Sequence, residues 1–232
     1  MKTFAFIFAR GGSKGLPRKN ILEIGGIPLI VHSIEIAKKV SQIDQIFVST
    51  EDQEIASIAQ ENQVHLISRT ANLASDNSPE WLSWQHAIRY AKENFGKFQQ
   101  FISLPTTSPL RNCSDIELCL NAHQNGAEFV VTITESNRSP WFNMVRQNDD
   151  GILSLLVSDN AVSIDNRQSA PKSYDLTTVA YVSSPDFILN HKSIWDGKVT
   201  GIKIPPERAI DIDTKLDFEI AEFLYSRKNI EI

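Results

Sequence analysis

Residues 3–20 read TFAFIFARGGSKGLPRKN, a strand pattern running straight into a basic, glycine-rich loop. Thr3 to Ala9 is short, apolar and rich in β-formers, as a buried strand should be. Arg10 to Asn20 contains three glycines, Gly11, Gly12 and Gly15, together with Ser13 and Pro17. Arg10, Lys14, Arg18 and Lys19 give the loop four positive charges and no acid, in a chain of net charge −5. Everything outside the loop therefore sums to −9. Glycines let backbone N–H groups turn toward one point, and lysine and arginine add full charges. Such a loop is expected to hold a polyphosphate; the bland alternative is a solvated basic loop. It is not a Walker A sequence, because Gly11 and Gly15 are too close and no Lys-Ser/Thr pair follows the last glycine. Nor does it match GxGxxG, which disfavours NAD.

The alternation of strand, loop and helix continues downstream. Helical patterns start at Pro28, Asp52, Pro79 and Ser114, the last read as a cap. Between them lie strand patterns at Gln45–Ser49, Val64–Ile67, Gln100–Leu104 and Ala127–Thr134. This order predicts an α/β fold, a mainly parallel Rossmann-like sheet flanked by helices. Right-handed crossovers then bring the loops that follow the strands to one edge, where ligands bind. Those loops are Arg10–Asn20, Thr50–Glu51, Ser68–Asp76 and Pro105–Arg111. The rhythm breaks at Ser136. Residues 136–176, with Trp141, Phe142 and a short apolar strand at Ile152–Val157, read as an insertion too long for a plain connection. Strands at Thr177–Ser183 and Val199–Ile204 and a final amphipathic helix from Lys215 to about Lys228 complete a single domain of 232 residues.

Hydrophobic residues at 41% and charged residues at 22% are ordinary for a globular chain. No apolar run approaches the roughly 20 residues that span a bilayer. The opening apolar run, Phe4 to Ala9, is ended by Arg10 and suits a first strand better than a signal peptide. A membrane role is therefore not expected, and a cytoplasmic location is. Cys113 and Cys119 supply neither a disulfide framework nor a zinc set, and the five histidines lack metal spacing. The acidic balance argues against nucleic acid as a partner.

Near the C-terminus, Ile210-Asp-Ile-Asp-Thr214 alternates as a strand does. Asp211 and Asp213 then share one face. Two close carboxylates repel unless a cation lies between them, and Mg²⁺ suits hard oxygen ligands beside phosphate. Alternatively, Asp213 or Thr214 caps the last helix and Asp211 is solvated.

Ala9-Arg-x-Gly-Ser-Lys-Gly-Leu-Pro-x-Lys-Asn20 resembles the N-terminal motif of the acylneuraminate cytidylyltransferases, the CMP-sialic acid synthetases. The resemblance continues in order through Val48-Ser-Thr-Glu-Asp52, Arg69, Leu73-Ala-Ser-Asp76, Thr107-Ser-Pro-Leu-Arg111 and Asp211-Ile-Asp-Thr214. It covers nearly the whole chain. It implies a nucleotide-diphospho-sugar transferase type of fold and transfer of CMP from CTP to the anomeric hydroxyl of a 3-deoxy-2-ulosonic acid, releasing pyrophosphate. The product would enter surface glycan or lipopolysaccharide biosynthesis. It also implies that Arg10, Lys14 and Lys19 hold the triphosphate, with Ala9, Gly11, Gly12 and Ser13 around them. Asn20, Arg69 and Asp76 would contact the nucleotide. Asp211 and Asp213 would bind Mg²⁺, with Asp211 catalytic. Thr107, Ser108 and Arg111 would face the sugar acid. The insertion would make a homodimer.

Two departures from the family fall near the sugar side. Pro105 stands where many relatives have glutamine. Asp175-Leu-Thr-Thr-Val-Ala-Tyr181 replaces a segment in which many relatives have arginine first and an Asn-Gly pair. Arg167 matches an upstream arginine able to pair with the substrate carboxylate. A carboxylate at Asp175 would favour an amine on the acid, such as 8-amino-3,8-dideoxy-manno-octulosonate; sialic, legionaminic and pseudaminic acids are the other candidates. Asp211-x-Asp213 also resembles the acid-x-acid motif of metal-dependent glycosyltransferases, although theirs follows a middle strand. A molybdenum-cofactor or sugar-1-phosphate nucleotidyltransferase and a non-catalytic nucleotide-binding protein are the remaining alternatives.

Overall fold

The computed structural model describes residues 1–228 apart from Lys14, residues 76–77 and residues 159–167. Three expected site residues, Lys14, Asp76 and Arg167, thus lie outside the described residues. A seven-stranded sheet forms the centre. In spatial order its strands are β11 (Val199–Lys203), β7 (Phe129–Glu135), β10 (Tyr174–Ser183), β6 (Gln100–Ser103), β1 (Thr3–Phe8), β4 (Gln45–Thr50) and β5 (His65–Ser68). β1 runs parallel to β4 and β6, β4 to β5, and β7 to β11. Only β10 is antiparallel to its neighbours, β6 and β7, so the sheet is mainly parallel, as expected.

Strand β1 shows why both faces are covered. Successive side chains point to opposite faces. Ala5, Ile7 and Ala9 join one buried cluster with helices α1 (Leu29–Lys39), α2 (Gln53–Glu61) and α5 (Cys113–Gln124). Phe4 and Phe6 join the other, an aromatic layer with Phe47, Phe101, Phe129 and Trp84. That layer is covered by α4 (Glu80–Phe95) and α6 (Pro185–Asn190). Cys119 is packed in the first cluster, where burial pushes its thiol up to about 12.

A third, smaller cluster decides the site. Ile24, Leu29, Leu110, Ile212 and Ala221 are buried together, tying the final helix α7 (Lys215–Lys228) to the chain after the first loop. A two-strand ribbon of β2 (Glu23–Ile24) and β3 (Ile27–Pro28) carries that chain. Its turn is Gly25-Gly26, with φ of 60° and 75°. Both glycines adopt the left-handed region that this tight hairpin turn requires. A Cβ on Gly25 would also lie 2.3 Å from the Tyr225 ring of α7.

Four expectations need correction. Pro28 is the residue before α1 and pairs with Glu23 instead of opening the helix. The cap of α5 is Asn112, not Ser114: its side chain accepts from Asp115 N–H while Asp115 accepts from Asn112 N–H. Residues 210–213 form no strand, although they keep the alternation of one. Within 136–176, the apolar strand shortens to β9 (Leu153–Leu155), which pairs with β8 (Val145–Gln147), and β10 already begins at Tyr174. Among the described residues no helix is long and apolar enough to cross a membrane.

Candidate active site

A cleft of about 720 Å³ opens at the carboxyl ends of β1 and β6. The first loop forms one side. It leaves β1 at Ala9, which is packed in the core and whose N–H donates to Ser49 O at 3.1 Å. The N–H of Gly11 donates to Glu51 Oε1 at 2.9 Å. Arg18 has a left-handed φ of 57° and turns away from the cleft onto Asp52, at 2.6 Å, and Glu54. One of the loop's four cations is therefore spent on anchoring the loop to the start of α2. Arg10, Ser13, Gly15 and Lys19 line the cleft, whereas Ala9, Gly11 and Gly12 do not. The N–H groups of Ala9 and Gly11 are already taken, by Ser49 O and Glu51 Oε1.

Asn20 also lines the cleft, but half of its amide's hydrogen-bonding capacity is engaged. Its Nδ2 donates to Arg10 O at 2.8 Å and its Oδ1 accepts from Thr106 Oγ1 at 2.5 Å. One N–H remains for a ligand. Its observed part is to close the loop against the chain that follows β6.

The acidic couplet arrives from the opposite end of the sequence. Ile212 is buried in the third cluster and donates its N–H to Thr107 O at 2.9 Å. The extended backbone around it therefore turns Asp211 and Asp213 to the cleft, which both line. Lys19 Nζ pairs with Asp213 Oδ1 at 2.8 Å. A Cβ on Gly15 would come within 2.4 Å of Asp213 O, so only glycine lets the loop approach this closely. Thr214, not Asp213, caps α7: its Oγ1 accepts from Asp217 N–H, and Asp217 accepts from Thr214 N–H at 2.7 Å. That leaves the Asp213 carboxylate for the cleft. Asp211 Oδ1 is buried and has no hydrogen-bond partner among the described residues.

Arg69 follows β5 and lines the same cleft. It is buried and bonds Glu51 Oε2 at 2.9 Å, while its Nε has no partner among the described residues. Glu51 thus holds the first loop with one oxygen and Arg69 with the other.

On the other side, the register of β10 against β7 slips between Thr177 and Tyr181. Such a break re-aims side chains. Thr178 and Tyr181 line the cleft, and Thr178 Oγ1 meets Thr107 Oγ1 at 3.1 Å and Ser108 Oγ at 2.7 Å. Burial raises the Tyr181 phenol to about 12, helped by the charges of Glu80 and Asp211. Thr107 faces the cleft; Ser108 and Arg111 do not. Arg111 is a buried strut that donates to Pro105 O and Thr178 O. Burial lowers its pKa, with Asp115 and Asp211 acting the other way. Asp175 is exposed on β10 opposite Thr134, outside the cleft lining. Thr178, Tyr181, Glu80 and Ser83 were not expected from the sequence, yet all line the cleft.

Residues 4–80 match the family described as Cytidylyltransferase. The chain is 35% identical over 229 residues to a post-translational flagellin modification protein B of Campylobacter coli, covering 97% of this chain and 95% of that one. The chain belongs to the acylneuraminate cytidylyltransferase family. It is likewise 35% identical over 228 residues to the CMP-N,N'-diacetyllegionaminic acid synthase of Campylobacter jejuni, again with 97% and 95% covered. A CMP:2-keto-3-deoxy-manno-octonic acid synthetase solved with CTP shares the fold, with a TM-score of 0.73 at 16% identity over 98% of this chain and all of that one. As a member of the acylneuraminate cytidylyltransferases, the protein is a CTP-dependent nucleotidyltransferase that makes a CMP-sugar from an acidic keto sugar.

Proposed function

We propose that this cytidylyltransferase transfers CMP from CTP to the anomeric hydroxyl of a nine-carbon sialic-acid-like acid, of the legionaminic kind. The observation that carries this reading is the meeting of Lys19 and Asp213 at 2.8 Å, from opposite ends of the chain, in a cleft shared with Arg69 and Asp211. The acceptor class follows from the 35% identity to the legionaminic acid synthase. The case for an amino-octulosonate rested on Asp175, and that carboxylate stands outside the cleft lining.

Mg²⁺ fits the residues present. Among the described residues no cluster of three or more His, Cys, Asp or Glu forms a full protein cage. Mg²⁺ commonly takes one or two carboxylates plus substrate phosphates. Asp211, with its buried and unpartnered Oδ1, and the exposed Asp213 offer that set. When bound there, Mg²⁺ would offset the negative charge of the phosphates.

The chain's own groups do the rest. Attack on the α-phosphate spreads charge over the transferred group and the departing pyrophosphate, so positioning and electrostatic stabilisation supply most of the catalysis. Arg10 and Lys19, with Lys14, bind the triphosphate. A phosphate competes with Asp213 for Lys19. Arg69, fixed by Glu51, orients the nucleotide. Thr107 and Thr178 present hydroxyls to the sugar acid, and Tyr181 closes the wall behind them.

The protein acts as a homodimer through residues 136–176, whose hairpin exposes Val145, Leu153 and Leu155. Its use of CTP and its free thiols suit the cytoplasm, and its product suits the building of a surface glycan or lipopolysaccharide. Incubation with CTP, Mg²⁺ and a panel of nine- and eight-carbon ulosonic acids, read as pyrophosphate release and CMP-sugar formation, tests the reading. Turnover is expected with the legionaminic type. Preference for an eight-carbon acid overturns the acceptor, and no release with any acid overturns the site.

A further inference from the structure

Glu80 has no part in the reading above, and its position is costly. It opens α4 and lines a cleft that must accept a triphosphate and a sugar carboxylate, both of which a carboxylate repels. Its Oε1 accepts from Trp84 Nε1 at 3.1 Å, which fixes the side chain and leaves the second oxygen free to accept. Arg69 lines the same cleft. Arg69 is buried, held by Glu51, and still carries an Nε–H without a partner. The cleft thus offers both a carboxylate acceptor and a guanidinium donor.

That pattern complements one part of the substrates. The exposed edge of cytosine presents an amino donor next to ring acceptors, and an acidic side chain is the usual acceptor for that amino group. Uracil has a carbonyl oxygen in the amino position, which a carboxylate repels. We infer that Glu80, in the cleft that Arg69 also lines, accepts from the cytosine amino group and sets the preference for CTP over UTP. Arg69 donates to the ring acceptors next to it. The inference rests on the cleft being the CTP site, which the pyrophosphate-release assay tests separately.

Titration calorimetry of the whole protein with CTP and with UTP, in Mg²⁺, needs no knowledge of the acid. Wild type is expected to bind CTP more tightly. Glu80→Gln can turn its amide N–H toward the uracil oxygen, so the CTP-to-UTP affinity ratio should fall by about 10- to 100-fold. Glu80→Asp keeps the charge but shortens the reach, and should fall between the two. A melting temperature close to wild type in either variant shows that the fold is intact. An unchanged ratio in both variants overturns the inference, as does an equal loss for both nucleotides. A raised KM for the acid with the nucleotide ratio intact would place Glu80 on the sugar instead. If wild type binds neither nucleotide, the CTP reading of the cleft fails before this one is reached.

Discussion

Asp211 holds a buried oxygen that nothing among the described residues satisfies. Such an atom is expensive unless a ligand completes it. Asp211→Asn keeps the shape and removes the charge, so kcat should fall by about 100- to 1,000-fold, the usual loss when one electrostatic stabiliser goes. The melting temperature should stay near wild type, because Ile212 beside it supplies the packing. Near-normal turnover at saturating Mg²⁺ would remove Asp211 from the mechanism. Residues of this kind were legible because the sequence places charge where a fold has no use for it: four cations in one loop, two acids two positions apart. Arg111 and Ser108 were equally legible as motif members but not as buried groups, since burial is set by partners such as Pro105 O and Thr178 that lie elsewhere in the chain. Glu80 left no signal. An acid in the first turn of a helix reads as ordinary compensation of the helix dipole.

At the level of elements, the strand–helix rhythm was readable because burial on each face imprints its period on the chain. The order of the sheet was not. β10 sits between β6 and β7 and runs against both, and no local pattern separates that from another parallel strand. The cap of α5 shows a finer failure, since Asn112 and Ser114 are both good caps by type. The structure selects Asn112 through its reciprocal bonds with the buried Asp115, itself paired with Arg208 at 2.9 Å. Asn112→Ala should cost about 1 kcal/mol, or ~2–4 °C in melting temperature for a chain of this size. Ser114→Ala should cost less than half of that; the reverse order in thermal melts contradicts the assignment. Asp52 caps α2 and also takes Arg18, so it ties the first loop to that helix. The bond from Arg18 is the main cause that holds its carboxyl below the ordinary 3.8, with the α2 N–H groups adding to it against burial. A depressed folded value means that its contribution is complete above 3.8 and disappears as pH falls through the folded value. Melts from about pH 6 to about pH 3 should therefore show wild type losing more stability than Asp52→Asn; parallel curves contradict the linkage.

For the whole molecule, the hairpin of β8 and β9 contributes no residue to any of the three buried clusters. Its strand residues are all exposed, and Val145, Leu153 and Leu155 are 53%, 59% and 36% accessible. Val145 faces Leu155 across the ladder, and Leu153 lies two residues from Leu155 on the same face. A hairpin this small is not stable by itself, and a contiguous apolar face of this kind needs a cover. In the homodimer proposed above, a second copy would supply one through a two-fold contact in which each hairpin packs on its equivalent. Light scattering at micromolar concentration should then give twice the 26.1 kDa chain mass. Leu153→Asp with Leu155→Asp puts a pair of like charges on each side of that contact and should return the mass to 26.1 kDa. The central sheet does not depend on the hairpin, so far-ultraviolet circular dichroism should be unchanged. A monomeric wild type, or a double variant that keeps the doubled mass, would mean that the hairpin is covered by something other than its own copy.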